Sequence, residues 1–272
     1  MRMSWKIGRV AGIDLFLHPT FLFFLAFIGL SQGGGPGTIL LTTAIFGCVL
    51  LHELGHALMA RRFGILTADI TLYPIGGVAR LQHLPRSPGA ELLIALAGPA
   101  VNVAIALVLG VGLAALVGAP HRLGWRDGIV GWTSLLMGAN LLLAGFNLIP
   151  AFPMDGGRVL RALLSIWLGR GRATEIAAVV GRVLAVGFGL GSLMYTPWPL
   201  KLLHVFLAAF IFFAAGMERT QVRVEERRRR FAEPDDGIRM APPGFYWVNR
   251  GNGFWQLAPI AVRVADPSGS WR

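Results

Sequence analysis

The stretch that decides the fold is TILLTTAIFGCVLLHELGHALMA, residues 38–60, an apolar run with three ionisable side chains near its end. A helix of about 20 apolar residues can cross the hydrocarbon of a bilayer, so this run predicts a membrane-spanning helix. His52 and His56 are four residues apart and lie on one helix face, where both imidazoles can bind one metal ion. The Glu53 carboxylate can reach a water on such an ion. Ionisable residues are costly in hydrocarbon, which indicates that these three have a function.

The composition is that of a polytopic membrane protein. Of the 272 residues, 54% are hydrophobic and 14% are charged, whereas soluble proteins contain about 25% charged residues. The formal net charge of +11 could indicate a nucleic-acid partner. However, the basic residues fall mostly beside apolar runs, which favours contact with lipid headgroups. We therefore expect the lipid bilayer, and no nucleic acid, as a partner.

Six apolar segments predict about six transmembrane helices, and therefore an all-α polytopic fold. The segments span residues 15–30, 38–60, 90–117, 128–150, 174–194 and 200–216. Residues 158–168 have a cationic and an apolar face, which predicts a helix lying along the interface. The basic N-terminus is interpreted as the flank of a retained first span, because no small-residue cleavage site follows it cleanly.

Loop charges predict the orientation of these spans. Basic residues cluster before the first span and after the second, fourth and sixth, whereas the opposite side offers Arg122, Arg126 and Lys201. By the positive-inside rule, both termini face the cytoplasm in a multi-pass protein of the inner or plasma membrane. Because His56 precedes Arg61 by five residues, it lies about 8 Å from the cytoplasmic end of its helix.

The loop after the second span contains a weakly alternating segment, residues 67–81, with Pro74, Gly76 and Gly77. It predicts a short interfacial β-hairpin or re-entrant strand pair, and the alternative is a packed interfacial loop. The exposed edge of such a hairpin could pair with an extended peptide. Gly76 and Gly77 are therefore candidate substrate-binding residues.

The C-terminal segment has a different composition from the spans. It begins with a basic run at Arg227–Arg230 and continues with prolines and aromatic residues. The sequence Asn249-Arg250-Gly251-Asn252-Gly253 lies between two aromatic patches and resembles a hairpin turn. We expect a small cytoplasmic β unit or irregular tail.

A third metal ligand is needed, because catalytic zinc usually has three protein ligands and one open position. The candidate is Asp155 in NLIPAFPMDGG, residues 147–157. Pro150 and Pro153 are expected to break the fourth span, while Gly156 and Gly157 allow unusual backbone angles, so that the carboxylate can turn inward. The alternative is that Asp155 caps a helix that starts near Arg158.

These two motifs together carry a family resemblance. HELGH in a membrane helix, followed by NLIPAFPMDGG at the end of a later one, resembles the site-2 protease family of intramembrane zinc metalloproteases, of M50 type. Tyr73-Pro-Ile-Gly-Gly77 and Ala97-Gly-Pro99 also fit the family, and the resemblance covers roughly residues 7–216. The PDZ and CBS domains of many relatives are not recognisable in this sequence.

The resemblance implies a site and an activity. It assigns zinc binding to His52, His56 and Asp155, the general base to Glu53, and a role in polarising the substrate carbonyl to Asn147. The expected enzyme is an intramembrane endopeptidase that cleaves transmembrane protein substrates near the cytoplasmic leaflet, in regulated intramembrane proteolysis. The expected domains are a transmembrane metalloprotease domain, residues 1–218, and a cytoplasmic basic and aromatic tail, residues 219–272.

Three other interpretations stay open at the level of sequence. A divalent-metal transporter could carry the same helix motif, although it would usually repeat ligands on a neighbouring span. An inactive metal-binding scaffold would not need Glu53. A metalloprotease class with a glutamate as third ligand would need another carboxylate at membrane depth, whereas Glu91 and Glu175 lie at span ends.

Other polar residues in the spans are assigned structural roles. Asn102 and Asn140 are expected to form interhelical hydrogen bonds, and Cys48 to pack. His18, before Pro19, is expected to cap a helix at the interface. Arg182 is expected to pair with an acidic group or to extend toward the membrane surface.

Overall fold

The computed structural model describes residues 4–31, 35–83, 85, 87–118, 126–198, 200–232, 244–249 and 255–259. The chain divides into two compact units, Met1–Arg219 and Thr220–Arg272. The helices and strands up to the end of the last helix are β1 Trp5–Val10, β2 Ile13–Leu17, α1 Pro19–Leu30, α2 Pro36–Arg62, β3 Thr67–Tyr73, β4 Gly76–Leu81, α3 Pro88–Gly118, α4 Arg126–Asn147, α5 Asp155–Leu168, α6 Arg170–Tyr195 and α7 Leu200–Ala232. The second unit contains an antiparallel strand pair, β5 Phe245–Asn249 and β6 Trp255–Pro259.

The helical, polytopic fold class is confirmed. Five helices are long and apolar enough to cross a membrane, over Pro36–Arg62, Pro88–Ala115, Gly128–Asn147, Arg170–Tyr195 and Leu200–Glu218. They coincide with the second to sixth predicted spans. Helix α1 is also apolar but has 12 residues. Its length of about 18 Å is shorter than the hydrocarbon layer. The first predicted span began too early, because Leu15–Leu17 belong to β2.

A four-stranded sheet packs beside the motif-bearing helix. Its order is β1-β2-β3-β4, with β2 and β3 parallel and the two outer pairs antiparallel. The β3–β4 pair is the predicted hairpin, whereas β1 and β2 were not predicted. Ile13, Leu15 and Ile70 form a buried cluster with Ala57 of α2. Since Ala57 follows His56, this packing fixes the sheet next to the metal motif.

Helices α2 and α3 approach each other closely at glycines. A Cβ atom on Gly55 would lie 2.9 Å from the Ala97 carbonyl oxygen, which is too close for a side chain. Small residues at such crossings let helix backbones come together in a membrane. Helix α3 then meets α4 through a hydrogen bond from Asn102 to Asn140, 2.9 Å long, which confirms the predicted interhelical role of both asparagines.

The segment before α5 folds back onto the first turn of that helix. Gly156 and Gly157 are helical and lie outside the positive-φ region, contrary to the prediction of unusual backbone angles. Glycine is required at these two positions because neighbouring backbone atoms leave no space for a side chain. A Cβ atom on Gly156 would collide with the carbonyl oxygens of Leu148 and Ile149, and one on Gly157 with the backbone of Phe152. Glycine therefore permits the tight loop that leads to Asp155.

Candidate metal centre

Three side chains from two helices converge at one point. His52 Nε2 and His56 Nε2 are 3.0 Å apart, and Asp155 Oδ2 lies 3.1 Å from the first and 3.0 Å from the second. All three side chains are buried. The sequence placed the histidines on one face of α2, and the structure brings the first residue of α5 to the same face.

The capping alternative for Asp155 does not describe this geometry. The N-cap of α5 is Met154, and the side chain at that cap makes no capping hydrogen bond. Asp155 is the first helical residue, and its carboxylate contacts the two histidine rings instead. The turn that the glycines allow therefore directs this carboxylate into the protein interior.

Each histidine is oriented by an oxygen on its other ring nitrogen. His56 Nδ1 lies 2.6 Å from the Ile94 carbonyl oxygen, and His52 Nδ1 lies 2.5 Å from Asn102 Oδ1. A backbone carbonyl can only accept, so His56 Nδ1 carries the proton, and the neutral ring presents a lone pair at Nε2. Metal-binding histidines usually have such an oxygen partner, which fixes ring orientation and tautomer.

The donor set fits zinc. Two imidazole nitrogens and one carboxylate oxygen are the ligand types of catalytic zinc sites. Ligand atoms at the corners of a tetrahedron with bonds of about 2.0 Å are about 3.3 Å apart, close to the separations of 3.0–3.1 Å found here. Without a cation between them, two nitrogen lone pairs and an anionic oxygen would repel one another. Three protein ligands also leave a fourth position for water.

Gly98 provides the room for the two rings. A Cβ atom at this position of α3 would collide with His56 Nε2 and His52 Nε2. The following residue, Pro99, lies inside the helix. Proline removes an amide donor, and in an α-helix this amide would have paired with the carbonyl of Ala95, four residues earlier. Gly98 thus leaves space for the two histidine rings, and the Ile94 carbonyl in the preceding turn of the same helix contacts His56 Nδ1.

The Glu53 side chain extends from α2 toward the edge strand β4. A Cβ atom on Gly77 would collide with the Glu53 side chain, so this glycine packs directly against the carboxylate-bearing residue. Gly76 begins the strand with φ of +134°, a conformation that favours glycine. Arg158, in the first turn of α5, adds positive charge near the carboxylates of Glu53 and Asp155.

Asn147 is not hydrogen-bonded to the three converging side chains in the part of the chain that the structure describes. It is the last residue of α4, and its Nδ2 donates to the Leu143 carbonyl, 3.1 Å away, in the same helix. The sequence also assigned no role in the centre to Asn102, Gly98 or Ile94. The Gly-Pro pair and the buried asparagine were visible signals, but a contact made by a backbone carbonyl leaves no mark in the sequence.

Comparison with known proteins places these features in a family. A model of Peptidase family M50 matches residues 40–123 and 117–188, which include His52, His56 and Asp155. A zinc metalloprotease of Methanocaldococcus jannaschii is 38% identical over 227 residues, covering 83% of this chain and 63% of the relative. The chain thus spans less than two thirds of that protein's length.

The chain is also similar to a sporulation protein and to a solved site-2 protease structure. Stage IV sporulation protein FB of Bacillus subtilis is 27% identical over 257 residues, covering 93% of this chain and 78% of the relative. The solved structure of the site-2 protease from Methanocaldococcus jannaschii matches with a TM-score of 0.57 and 37% identity, over 79% of this chain and 95% of that one. Since the family model covers more than half of the chain, including both motifs of the candidate metal centre, this protein belongs to peptidase family M50.

Proposed function

We propose that this chain is a zinc-dependent endopeptidase that hydrolyses peptide bonds in transmembrane segments near the cytoplasmic leaflet. The observation that carries this proposal is the convergence of His52, His56 and Asp155, with Glu53 one residue from the first histidine. The names of the M50 relatives, which include zinc metalloproteases and a site-2 protease, support the choice of metal and reaction.

The chain's own residues can supply the proton transfers of peptide hydrolysis. Zinc, when bound by the three ligands, acts as a Lewis acid toward water and the scissile carbonyl. Glu53 accepts a proton from the attacking water and returns it to the leaving amine. Asn147, at the end of the helix before the Asp155 loop, is proposed to donate from its amide to the substrate carbonyl. Burial of the site in protein limits competing access of bulk water.

The edge strand β4 is the proposed site for the substrate. Peptide carbonyls in a helix are engaged in intrachain hydrogen bonds, so a transmembrane substrate must unwind before it can be cut. An extended peptide can add to a free sheet edge through main-chain hydrogen bonds. Gly76 and Gly77 form the start of that edge, and Gly77 brings it against Glu53. Substrates with easily unwound segments at this depth are therefore favoured, as in regulated intramembrane proteolysis.

The membrane orientation is part of the proposal. Arg61 and Arg62 end α2, and His56 lies less than two turns before them, so the positive-inside rule places the site in the cytoplasmic leaflet. We propose a multi-pass protein of the inner or plasma membrane with both termini in the cytoplasm. A reporter enzyme that works only in the cytoplasm should be active when it is fused after Arg230. Activity of a reporter that works only outside the cytoplasm would contradict this topology.

The structure gives less support to the other interpretations. Within the described residues, His52, His56 and Asp155 form the one group of three or more His, Cys, Asp or Glu side chains that could hold a metal ion. His204, on α7, contacts Ser192 and Thr196 instead. A transporter path would need further ligands. A scaffold would not need a carboxylate at Glu53.

The test of the proposal is Glu53→Gln in the full chain. The amide keeps the size of the side chain but cannot accept the proton, so we expect zinc content to stay at one ion per chain and cleavage to fall below detection. Comparative membrane proteomics should then show single-span fragments that accumulate in the variant relative to wild type. His56→Ala is the matched control that should lose both zinc and cleavage. Retained cleavage in Glu53→Gln would remove Glu53 as the base.

A further inference from the structure

A line of buried polar groups leads away from the metal centre toward α4. His52 Nδ1 contacts Asn102 Oδ1 at 2.5 Å, and Asn102 Nδ2 donates to Asn140 Oδ1 at 2.9 Å. Asn140 Nδ2 then donates to the Leu136 carbonyl at 2.9 Å and to Cys48 Sγ at 3.3 Å. Both asparagines have no exposed surface.

We propose that Asn140 is a positioning residue, which acts through Asn102 to fix the tautomer of His52 that binds the metal. This inference rests on the proposed zinc site, because it concerns how one of its ligands is prepared. Asn140 does not contact the metal ligands itself, so its role differs from that of Asn102 and from that of the catalytic residues.

The direction of every hydrogen bond follows from the far end of the line. The Leu136 carbonyl oxygen can only accept, so the Asn140 amide must present its NH2 group there. Its Oδ1 consequently faces Asn102. An amide oxygen can only accept as well, so Asn102 presents its own NH2 group to Asn140 and its Oδ1 to His52.

The consequence at His52 is a single tautomer. Because Asn102 Oδ1 accepts, His52 Nδ1 must carry the proton, and the neutral ring has its lone pair at Nε2, the atom that faces His56 and Asp155. If Asn102 turned by 180°, its NH2 group would require the opposite tautomer, with a proton at Nε2 in the metal position. Asn140 is what prevents that rotation.

A purely structural role for Asn140 makes a different prediction. Interhelical hydrogen bonds between asparagines hold membrane helices together, and loss of such a bond alone would lower stability without changing which His52 nitrogen is protonated. The positioning role predicts a change of tautomer and of zinc affinity in protein that remains folded. It also predicts that the effect disappears when residue 102 can accept a hydrogen bond from His52 in either orientation.

The experiment uses full-length protein in detergent and begins with three single substitutions. Asn140→Leu keeps the volume and removes the anchor, so zinc should bind about 10- to 100-fold more weakly, the range seen when histidine orientation is lost. Asn140→Ser is milder, because its hydroxyl can donate to Leu136 and accept from Asn102. Its zinc affinity should lie between those of wild type and Asn140→Leu. Cys48→Ala is the control, because the Leu136 contact still fixes the Asn140 amide and affinity should stay within about twofold.

The decisive variant is Asn102→Asp, whose carboxylate accepts from His52 in either orientation. In this background, Asn140→Leu should weaken zinc binding by less than about threefold. Nitrogen-15 NMR of labelled histidines in metal-free protein should show His52 as the Nδ1-H tautomer in wild type and as a mixture of the Nδ1-H and Nε2-H tautomers in Asn140→Leu.

Two results would overturn the proposal. One is an unchanged His52 tautomer in folded Asn140→Leu. The other is an equal loss of zinc affinity with and without Asn102→Asp. Failure of wild-type protein to bind zinc would instead reject the proposed function, and the tautomer measurement on metal-free protein would still decide the role of Asn140.

Discussion

At the scale of single residues, the proposed metal centre requires a glycine at position 98 as well as its three proposed ligands. The rings of His52 and His56 occupy the space that a Cβ atom at position 98 would fill. Interiors of proteins are packed too densely to absorb an added methyl group without displacement. Both rings are also held from behind by Asn102 and Ile94, so they have little freedom to move aside.

Gly98→Ala should therefore abolish zinc binding although alanine is the better helix former. We expect the zinc dissociation constant to rise at least about 100-fold, since the displaced ring loses its bond to the oxygen that orients it. The measurement is a zinc titration with a competing chelator. Gly112→Ala, in the same helix but with open space around the position, is the matched control and should bind zinc like wild type. Equal affinity in both variants would contradict the close packing of Gly98.

The convergence of the two histidines was easier to predict from the sequence than the approach of Asp155. His52 and His56 are one helical turn apart, so their convergence follows from helix geometry alone. Asp155 lies 103 residues from His52. It could be proposed only because the prolines and glycines around it predicted a break, and because the two motifs together resembled a family. The oxygen that orients His56 is the backbone carbonyl of Ile94. Every residue has such a carbonyl, so the residue type at this position does not predict the contact.

At the scale of helices and strands, apolar length predicted the long helices well and failed at the N-terminus. Strand β2 ends with the apolar residues Leu15–Leu17, and α1, which follows it, is also apolar. The composition therefore does not show where the strand ends and the helix begins. The strand exists because residue 14 to residue 17 can pair in parallel with β3, from Asp69 to Leu72. Such pairing joins residues more than 50 positions apart, which hydrophobic periodicity cannot detect.

An ion-pair network between helices was also not predicted from the sequence, because its residues are far apart along the chain. Arg161 of α5 is almost completely buried and contacts Glu91 of α3 and Glu218 of α7, at 2.6 Å in each case. Arg161 also lies over the Phe152 ring. Glu91 lies one turn before Ile94, and Arg161 lies on the helix that Asp155 begins. The network therefore connects α3, whose Ile94 carbonyl orients His56, with α5, which carries Asp155, the proposed third ligand.

Arg161→Met should destabilise the protein strongly, because it leaves the buried Glu91 carboxylate with only the more distant Arg170 and removes the cation that pairs with the partly buried Glu218. Breaking a buried ion pair from one side lowers the free energy of unfolding by about 3–5 kcal/mol. Denaturant unfolding in detergent measures this change. Arg172→Met replaces an exposed arginine on α6 and should change stability by less than about 0.5 kcal/mol. Addition of Glu91→Gln should restore part of the loss, and an unchanged Arg161→Met variant would show that the network does not stabilise the fold.

At the scale of the whole molecule, the last long helix covers the segment that precedes Asp155. Ile211 of α7 packs in a buried cluster with Ala151 and Met154, and Ala215 packs with Phe152. Glu218 follows one turn later and pairs with Arg161. All of these contacts lie within the first unit, Met1–Arg219. The completeness of the metal centre should thus depend on the chain as far as Glu218.

Two truncations separate the membrane part from the tail. A chain that ends after Ala232 keeps α7 entire and should retain wild-type zinc affinity and cleavage, because the proposed site residues all lie before position 219. A chain that ends after Gly216 lacks Glu218 and should lose stability by about 1–3 kcal/mol, the penalty for removing one partner of a buried hydrogen bond. Its zinc affinity should fall as the Asp155 loop loosens.

Full-length Glu218→Gln is the control for this comparison. It removes the negative charge but leaves the helix intact, so a loss shared with the shorter truncation assigns the effect to the pair with Arg161. A loss confined to the truncation assigns it to the length of α7. If the chain that ends after Ala232 were itself unable to bind zinc, the tail would be required for the centre, and the expected boundary between residues 218 and 219 would not separate independent domains.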